Sequence, residues 1–209
     1  MKKETKKLFL SSSFKDVANV FESFAHEDVK GKTVTFIPTA SVTEKIKFYV
    51  GSAKKAFNKM GIIVDELEIT KSTADEIEKK LRQNDYIYIS GGNTFFLLQE
   101  LKRKGADKLI IEQIESGKLY IGESAGSMIV SPNIEYVKGM DDCKVAKDLG
   151  TFSALSVVDF YPVPHYTNFP FAKAVEKIIS KYESELKLYP INNSQAILIE
   201  GEEVRVETK

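Results

Sequence analysis

Leu119-Tyr120-Ile121-Gly122-Glu123-Ser124-Ala125-Gly126 is the stretch on which the reading of the fold turns. Three apolar residues with strand propensity run into the pattern G-x-S-x-G. The two glycines let the chain reverse tightly at a strand end and lift the serine hydroxyl above the sheet edge, with the N–H of Ala125 aimed where an oxyanion would develop. Such a turn belongs to parallel sheets, and the flanking sequence has their rhythm. Apolar runs at 8–10, 34–37, 62–67, 86–89 and 119–121 read as strands, and those at 33–37 and 86–89 are continuous enough to be buried on both faces. Between them, helical spacing marks 17–25, 46–60, 74–81 with Ser72 as cap, 94–104 closed by Gly105, and 106–116. Strands alternating with helices predict βαβ units and an α/β fold with a mostly parallel sheet. Beyond the turn, 132–148 reads as loop or hairpin, 157–163 as a strand and 172–182 as a helix. Residues 196–200 and 203–207 flank Gly201 as a C-terminal antiparallel hairpin. No repeat, low-complexity tract or linker interrupts residues 1–209, so a single domain is expected.

Composition narrows the function classes. The 209 residues carry 30 Lys+Arg against 30 Asp+Glu. A net charge of zero argues against a nucleic-acid partner and against an anionic membrane. No segment approaches the roughly 20 apolar residues of a membrane helix. Lys2, Lys3, Lys6 and Lys7 are followed only by the short patch 8–10, too short for a signal-peptide core, so a cytoplasmic location is expected. The single Cys143 excludes an internal disulfide or a thiolate zinc cage, and two histidines make a His-rich metal site unexpected. The chemistry proposed below needs neither metal nor cofactor. Nothing in the sequence specifies an oligomeric state.

Two further stretches fit an acyl-transfer site. Ile89-Ser90-Gly91-Gly92-Asn93-Thr94 also follows a strand, and in a parallel sheet the strand C-termini share the ligand-binding edge. Gly91 and Gly92 allow close approach of a substrate, the Gly92 N–H can act as a second oxyanion donor, and Asn93 or Thr94 can cap the next helix. Tyr161-Pro162-Val163-Pro164-His165-Tyr166-Thr167-Asn168 supplies an imidazole after a strand. A serine nucleophile needs a base; His26 lies in a solvated polar run, which leaves His165. Phe95 and Phe96 read as packing residues, and Tyr166 and Phe169 as a possible pocket wall.

These three motifs, in this order, resemble the aspartyl dipeptidase (peptidase E) family of serine peptidases, related to cyanophycinase. The strand 33–37 with Pro38 and the tail Asn193-Ser194-Gln195-Ala196-Ile197-Leu198 are similar as well, so the likeness covers nearly the whole chain. The resemblance implies a three-layer sandwich, flavodoxin-like or class I glutamine amidotransferase-like. It implies a Ser–His hydrolase acting on a small peptide: Ser124 as nucleophile, His165 as general base, and Gly92, Ala125 and Asn93 around the oxyanion and substrate. It also implies a carboxylate as third member. The tail instead reads Tyr189-Pro190-Ile191-Asn192-Asn193, so Asn193 and Glu185 stand as alternatives, with Asp159, Asp141 and Asp142 as further options. Aspartyl selectivity would need a cation, and Phe169-Pro170-Phe171-Ala172-Lys173 offers no arginine. A different serine amidase or esterase, or a catalytically weakened binding protein, would use the same scaffold. A glutamine amidotransferase would need cysteine at position 124.

Overall fold

A computed structural model of the protein describes residues 5–209. Lys2 and Lys3 of the N-terminal run lie outside them. Seven strands form one sheet in the order β3-β2-β4-β5-β1-β8-β9. The first five in sequence, β1 (Lys7–Ser11), β2 (Thr33–Ile37), β3 (Ile63–Glu66), β4 (Tyr86–Ile89) and β5 (Leu119–Glu123), are parallel. β8 (Gln195–Glu200) lies antiparallel to β1, and β9 (Glu203–Thr208) folds back on β8 through a turn with Gly201 at φ +64°.

Period-two alternation along each strand divides the apolar residues into two layers. Phe9, Val34, Phe36, Tyr86, Tyr88, Leu119, Ile121 and Leu198 face α1 (Ala18–Ala25) and α2 (Phe48–Lys59). Leu8, Leu10, Ile37, Ile87, Ile89, Tyr120 and Ile197 face the opposite layer. That layer holds α3 (Ala74–Gln83), α4 (Thr94–Lys104), α5 (Ala106–Glu115), the single turn α6 (Ala125–Met128) and α7 (Ala172–Tyr182). The result is the expected three-layer α/β sandwich. The first layer is mainly aromatic: Phe14 stacks on Phe57 with centroids 4.4 Å apart, and Phe9, Phe21 and Tyr88 meet Phe14 edge-on.

Several elements differ from their sequence expectation for local reasons. The second helix starts at Phe48 rather than residue 46; Ile46 and Phe48 are both exposed, so the apolar spacing there marks no buried face. Thr73, not Ser72, caps α3, accepting the Glu76 N–H at 3.2 Å from an extended backbone. Residues 132–148, read as loop or hairpin, are loop that carries two 3-10 turns, Glu135–Gly139 and Cys143–Val145. The strand expected over 157–163 is only β6 (Tyr161–Val163). It leaves the main sheet and pairs in parallel with β7 (Leu188–Pro190), which no periodicity announced because both elements are three residues long. Among the described residues no helix is long and apolar enough to cross a membrane, and no group of three potential metal ligands occurs.

All five parallel strands end at one edge, and β8 begins there, so the loops after β1, β2, β4 and β5 meet the segment before β8. The aromatic layer sits directly beneath. Phe57→Ala is expected to lower the unfolding free energy by ~3–5 kcal/mol, by removing the partner of Phe14, Phe21, Phe36 and Tyr88. Urea denaturation followed by far-UV circular dichroism would measure it.

Candidate active site

The turn after β5 is built by backbone contact. A Cβ on Gly122 would lie 2.5 Å from the Gly126 carbonyl oxygen, and one on Gly126 2.2 Å from that of Ile89. Only glycine lets the turn close on itself and settle against β4. Ser127 staples it to β1: its Oγ accepts the Ser11 N–H at 3.0 Å and lies 2.8 and 2.9 Å from the carbonyl oxygens of Ser11 and Gly122. Ser124 itself takes φ 51°, ψ −105°, a conformation that side-chain-bearing residues rarely adopt. Its N–H donates to Ser11 O at 2.8 Å, which fixes the hydroxyl at the sheet edge.

His165 reaches the hydroxyl from the loop after β6. Nε2 lies 2.9 Å from Ser124 Oγ, and Nδ1 lies 3.1 Å from Asn193 Oδ1. Because the amide oxygen can only accept, Nδ1 carries the proton and the Nε2 lone pair faces the serine. The histidine backbone is left-handed at φ 65° and its N–H donates to Ser12 Oγ at 3.0 Å. Ser12 Oγ donates in turn to Ile191 O at 3.0 Å, and Ile191 O also accepts the Tyr166 N–H. Phe171 stacks on the imidazole with centroids 4.8 Å apart. Burial in this setting holds the His165 pKa below the ordinary histidine value; the Asn193 hydrogen bond pulls weakly the other way.

Glu185 is exposed beyond the end of α7, and both ring nitrogens of His165 are occupied by other groups. Asn193 therefore holds the place that the sequence left open between the two. Asp159 faces Lys187 at the surface, Asp141 accepts the Thr94 N–H at 2.8 Å, and Asp142 accepts the Lys144 N–H, so none of the three meets His165. Asn193 is oriented through its own N–H, which donates to Asn168 Oδ1 at 2.8 Å.

Gly92 has φ +133°, and a Cβ there would lie 2.2 Å from the Ala40 carbonyl. Among the described residues neither the Gly92 nor the Ala125 N–H has an acceptor. Asn93, read from sequence both as a substrate-side group and, with Thr94, as a candidate cap of the next helix, is that cap. Its N–H donates to Ala40 O, its Oδ1 accepts the Phe96 N–H and its Nδ2 donates to Asp142 O. Phe95 is core, whereas Tyr166 is partly exposed and Phe169 is 94 % exposed. His26 sits at the surface end of α1, 3.7 Å from Glu200. Sequence reading missed Ser12 and Phe171. The first belongs to the polar run Ser11-Ser12-Ser13, which has no feature that singles out one serine, and an aromatic on a helix-entry loop carries no signal that it will lie against an imidazole.

The sheet order and the strand-end turn define an α/β sandwich of the peptidase E kind. A crystal structure described as a Peptidase E protein from Listeria monocytogenes EGD-e superposes with a TM-score of 0.94 at 54% identity, covering 98% of this chain and 99% of that one. At 20% identity, a peptidase from an acI-B1 Actinobacterium shares the fold with a TM-score of 0.76, covering 99% and 89% of the two chains. An uncharacterized peptidase of Listeria innocua serovar 6a is 56% identical over 199 residues, 95% of each chain. Peptidase E of a Nostoc species is 29% identical over 170 residues, 78% of this chain and 67% of its own. The profile of Peptidase family S51 matches residues 8–207. The chain belongs to peptidase family S51, and it is a peptidase.

The strained backbone at Ser124 carries a stability consequence. Ser124→Gly should raise the unfolding free energy by ~1 kcal/mol, since glycine adopts this conformation without strain while adding some unfolded-state entropy. Paired urea titrations of the two proteins would read it.

Proposed function

We propose that this peptidase hydrolyses short peptides, dipeptides among them, by acyl transfer through Ser124. The observation that carries the reading is the line Ser124 Oγ–His165 Nε2, His165 Nδ1–Asn193 Oδ1, at 2.9 and 3.1 Å. Ser124 Oγ attacks the scissile carbonyl carbon as its proton passes to Nε2. The resulting oxyanion lies against the Gly92 and Ala125 N–H groups. The intermediate collapses, the C–N bond breaks, and Nε2 returns the proton to the leaving amine. Water then attacks the ester by the same route and frees Ser124. Asn193 keeps the proton on Nδ1 so that Nε2 is the base. Lacking a charge, it stabilises the imidazolium less than a carboxylate would.

The acyl residue need not be aspartate. The three arginines are all placed elsewhere: Arg82 on Glu78 and Glu112, Arg103 on Glu100, and Arg205 beside Glu203 and Glu207. No guanidinium fork is at hand for a substrate carboxylate, whereas Tyr166 and Phe169 give the His165 loop an apolar rim. Dipeptides with an apolar first residue should be cleaved faster than those beginning with aspartate; a panel with a common second residue compares kcat/KM.

Ser124→Ala should retain the fold and lose at least about a thousandfold in kcat, and a fluorophosphonate should label the wild type at Ser124. A fully active mutant would end the reading. His165 should titrate below the ordinary histidine value of ~6.5 by NMR of its ring protons. Asn193→Asp should raise that value by about one pH unit, because an adjacent carboxylate favours the imidazolium. No movement would place Asn193 outside the site.

A further inference from the structure

We propose that Glu123 is a positioning residue for acyl transfer, its ionised carboxylate clamping the strand ends that carry the nucleophile, the oxyanion donors and the histidine. The inference rests on the Ser124–His165 reading above and concerns a group that mechanism leaves unused. Glu123 immediately precedes Ser124, is 2% exposed, and points from β5 into the aromatic layer. Its Oε1 accepts the Phe14 N–H at 2.9 Å and its Oε2 accepts the Tyr88 hydroxyl in a short hydrogen bond. The Gly91 N–H is directed at the same carboxylate.

Each donor lies on a different part of the site. Phe14 follows Ser12, which holds the His165 backbone. Tyr88 is on β4, whose end carries Gly91 and Gly92. Gly91 itself packs so closely that a Cβ there would lie 3.2 Å from Ser124 Cβ. One carboxylate therefore ties the loops after β1 and β4 to the residue beside the nucleophile. The contacts favour an acceptor: the Phe14 and Gly91 N–H groups can only donate, so a neutral carboxylic acid could turn its own O–H only toward the Tyr88 hydroxyl. Two of those donors are backbone amides that cannot turn.

Among the described residues no cation compensates the charge. The groups facing Glu123 are Tyr88 from β4, Asp16 from the turn after β1, and Tyr49 from α2, whose hydroxyl is buried without a partner. Burial outweighs the three donors and raises the Glu123 pKa to about 7, above the depressed value of His165. A carboxyl group raised this far loses its charge as pH falls through 7, while the imidazole is still a competent base. The acid limb of acylation then reports the clamp rather than the histidine.

The test is the pH dependence of fluorophosphonate labelling of Ser124 and of kcat and KM on a dipeptide the wild type cleaves. The wild type should show an acid limb centred near 7. In Glu123→Gln the limb should move to lower pH, where His165 titrates, with a plateau kcat about tenfold lower and KM within about twofold. Tyr88→Phe removes one donor to the carboxylate and should move the limb upward, which keeps the proposal testable if Glu123→Gln does not fold. Limbs that stay at the wild-type midpoint in the folded variants would overturn the clamp. A wild type that is active but never labelled at Ser124 would instead overturn the serine mechanism. The two failures are thus distinguishable.

Discussion

The structure depends on one steric constraint: the backbone of the turn after β5 must come within contact of itself and of β4. Gly122 meets Gly126, and Gly126 meets Ile89, at separations that admit no side-chain carbon. This closeness brings Ser124 to the edge in its strained conformation, and Ser127 and Ser11 lock the turn to the neighbouring strand. A similar exclusion at Gly92 against Ala40 seats the loop after β4 on the loop after β2. The site is thus a by-product of close backbone packing between strand ends. Beneath it lies the aromatic layer, where Phe14 and Phe57 stack and Tyr88 reaches Glu123.

The parallel core of the sheet was legible because buried strands have to be continuous apolar runs and their helices have to show a regular buried stripe. The glycines of the turn were legible for the same steric reason that makes them necessary. The short parallel pair β6 and β7 was not, since three residues give no period and Pro162 and Pro190 speak against a strand. Within the site, Ser124 and His165 could be singled out because few other residues in this chain could do their work. Asn193 could not be separated from Glu185, because sequence distance says nothing about which of two polar residues after α7 turns back toward an imidazole. Asn93 fitted both a ligand-side group and a helix cap, and its amide contacts make it the cap; an asparagine before a helix satisfies both descriptions until its amide partners are known.

Among the described residues no carboxylate neighbours the ring of His165. Its orientation comes instead from many neutral contacts: a hydroxyl on its backbone, a ring against its face, and an amide oxygen on Nδ1. Such an arrangement sets direction without adding charge. Burial in this neutral setting favours the uncharged imidazole, while the buried carboxyl of Glu123 points into the aromatic layer on the α1–α2 face of the sheet.

The antiparallel strand β8 adds beside β1, and the residues that lead into it bring Asn193 to the imidazole. Ribosomal synthesis delivers Ser124 some seventy residues before that asparagine. A nascent chain therefore carries Ser124 before Asn193 exists to orient His165, and the sheet must accept its sixth strand before the three side chains line up. Docking of this late strand is therefore what completes the hydrogen-bonded line from Ser124 through His165 to Asn193, tying the site's geometry to closure of the sheet.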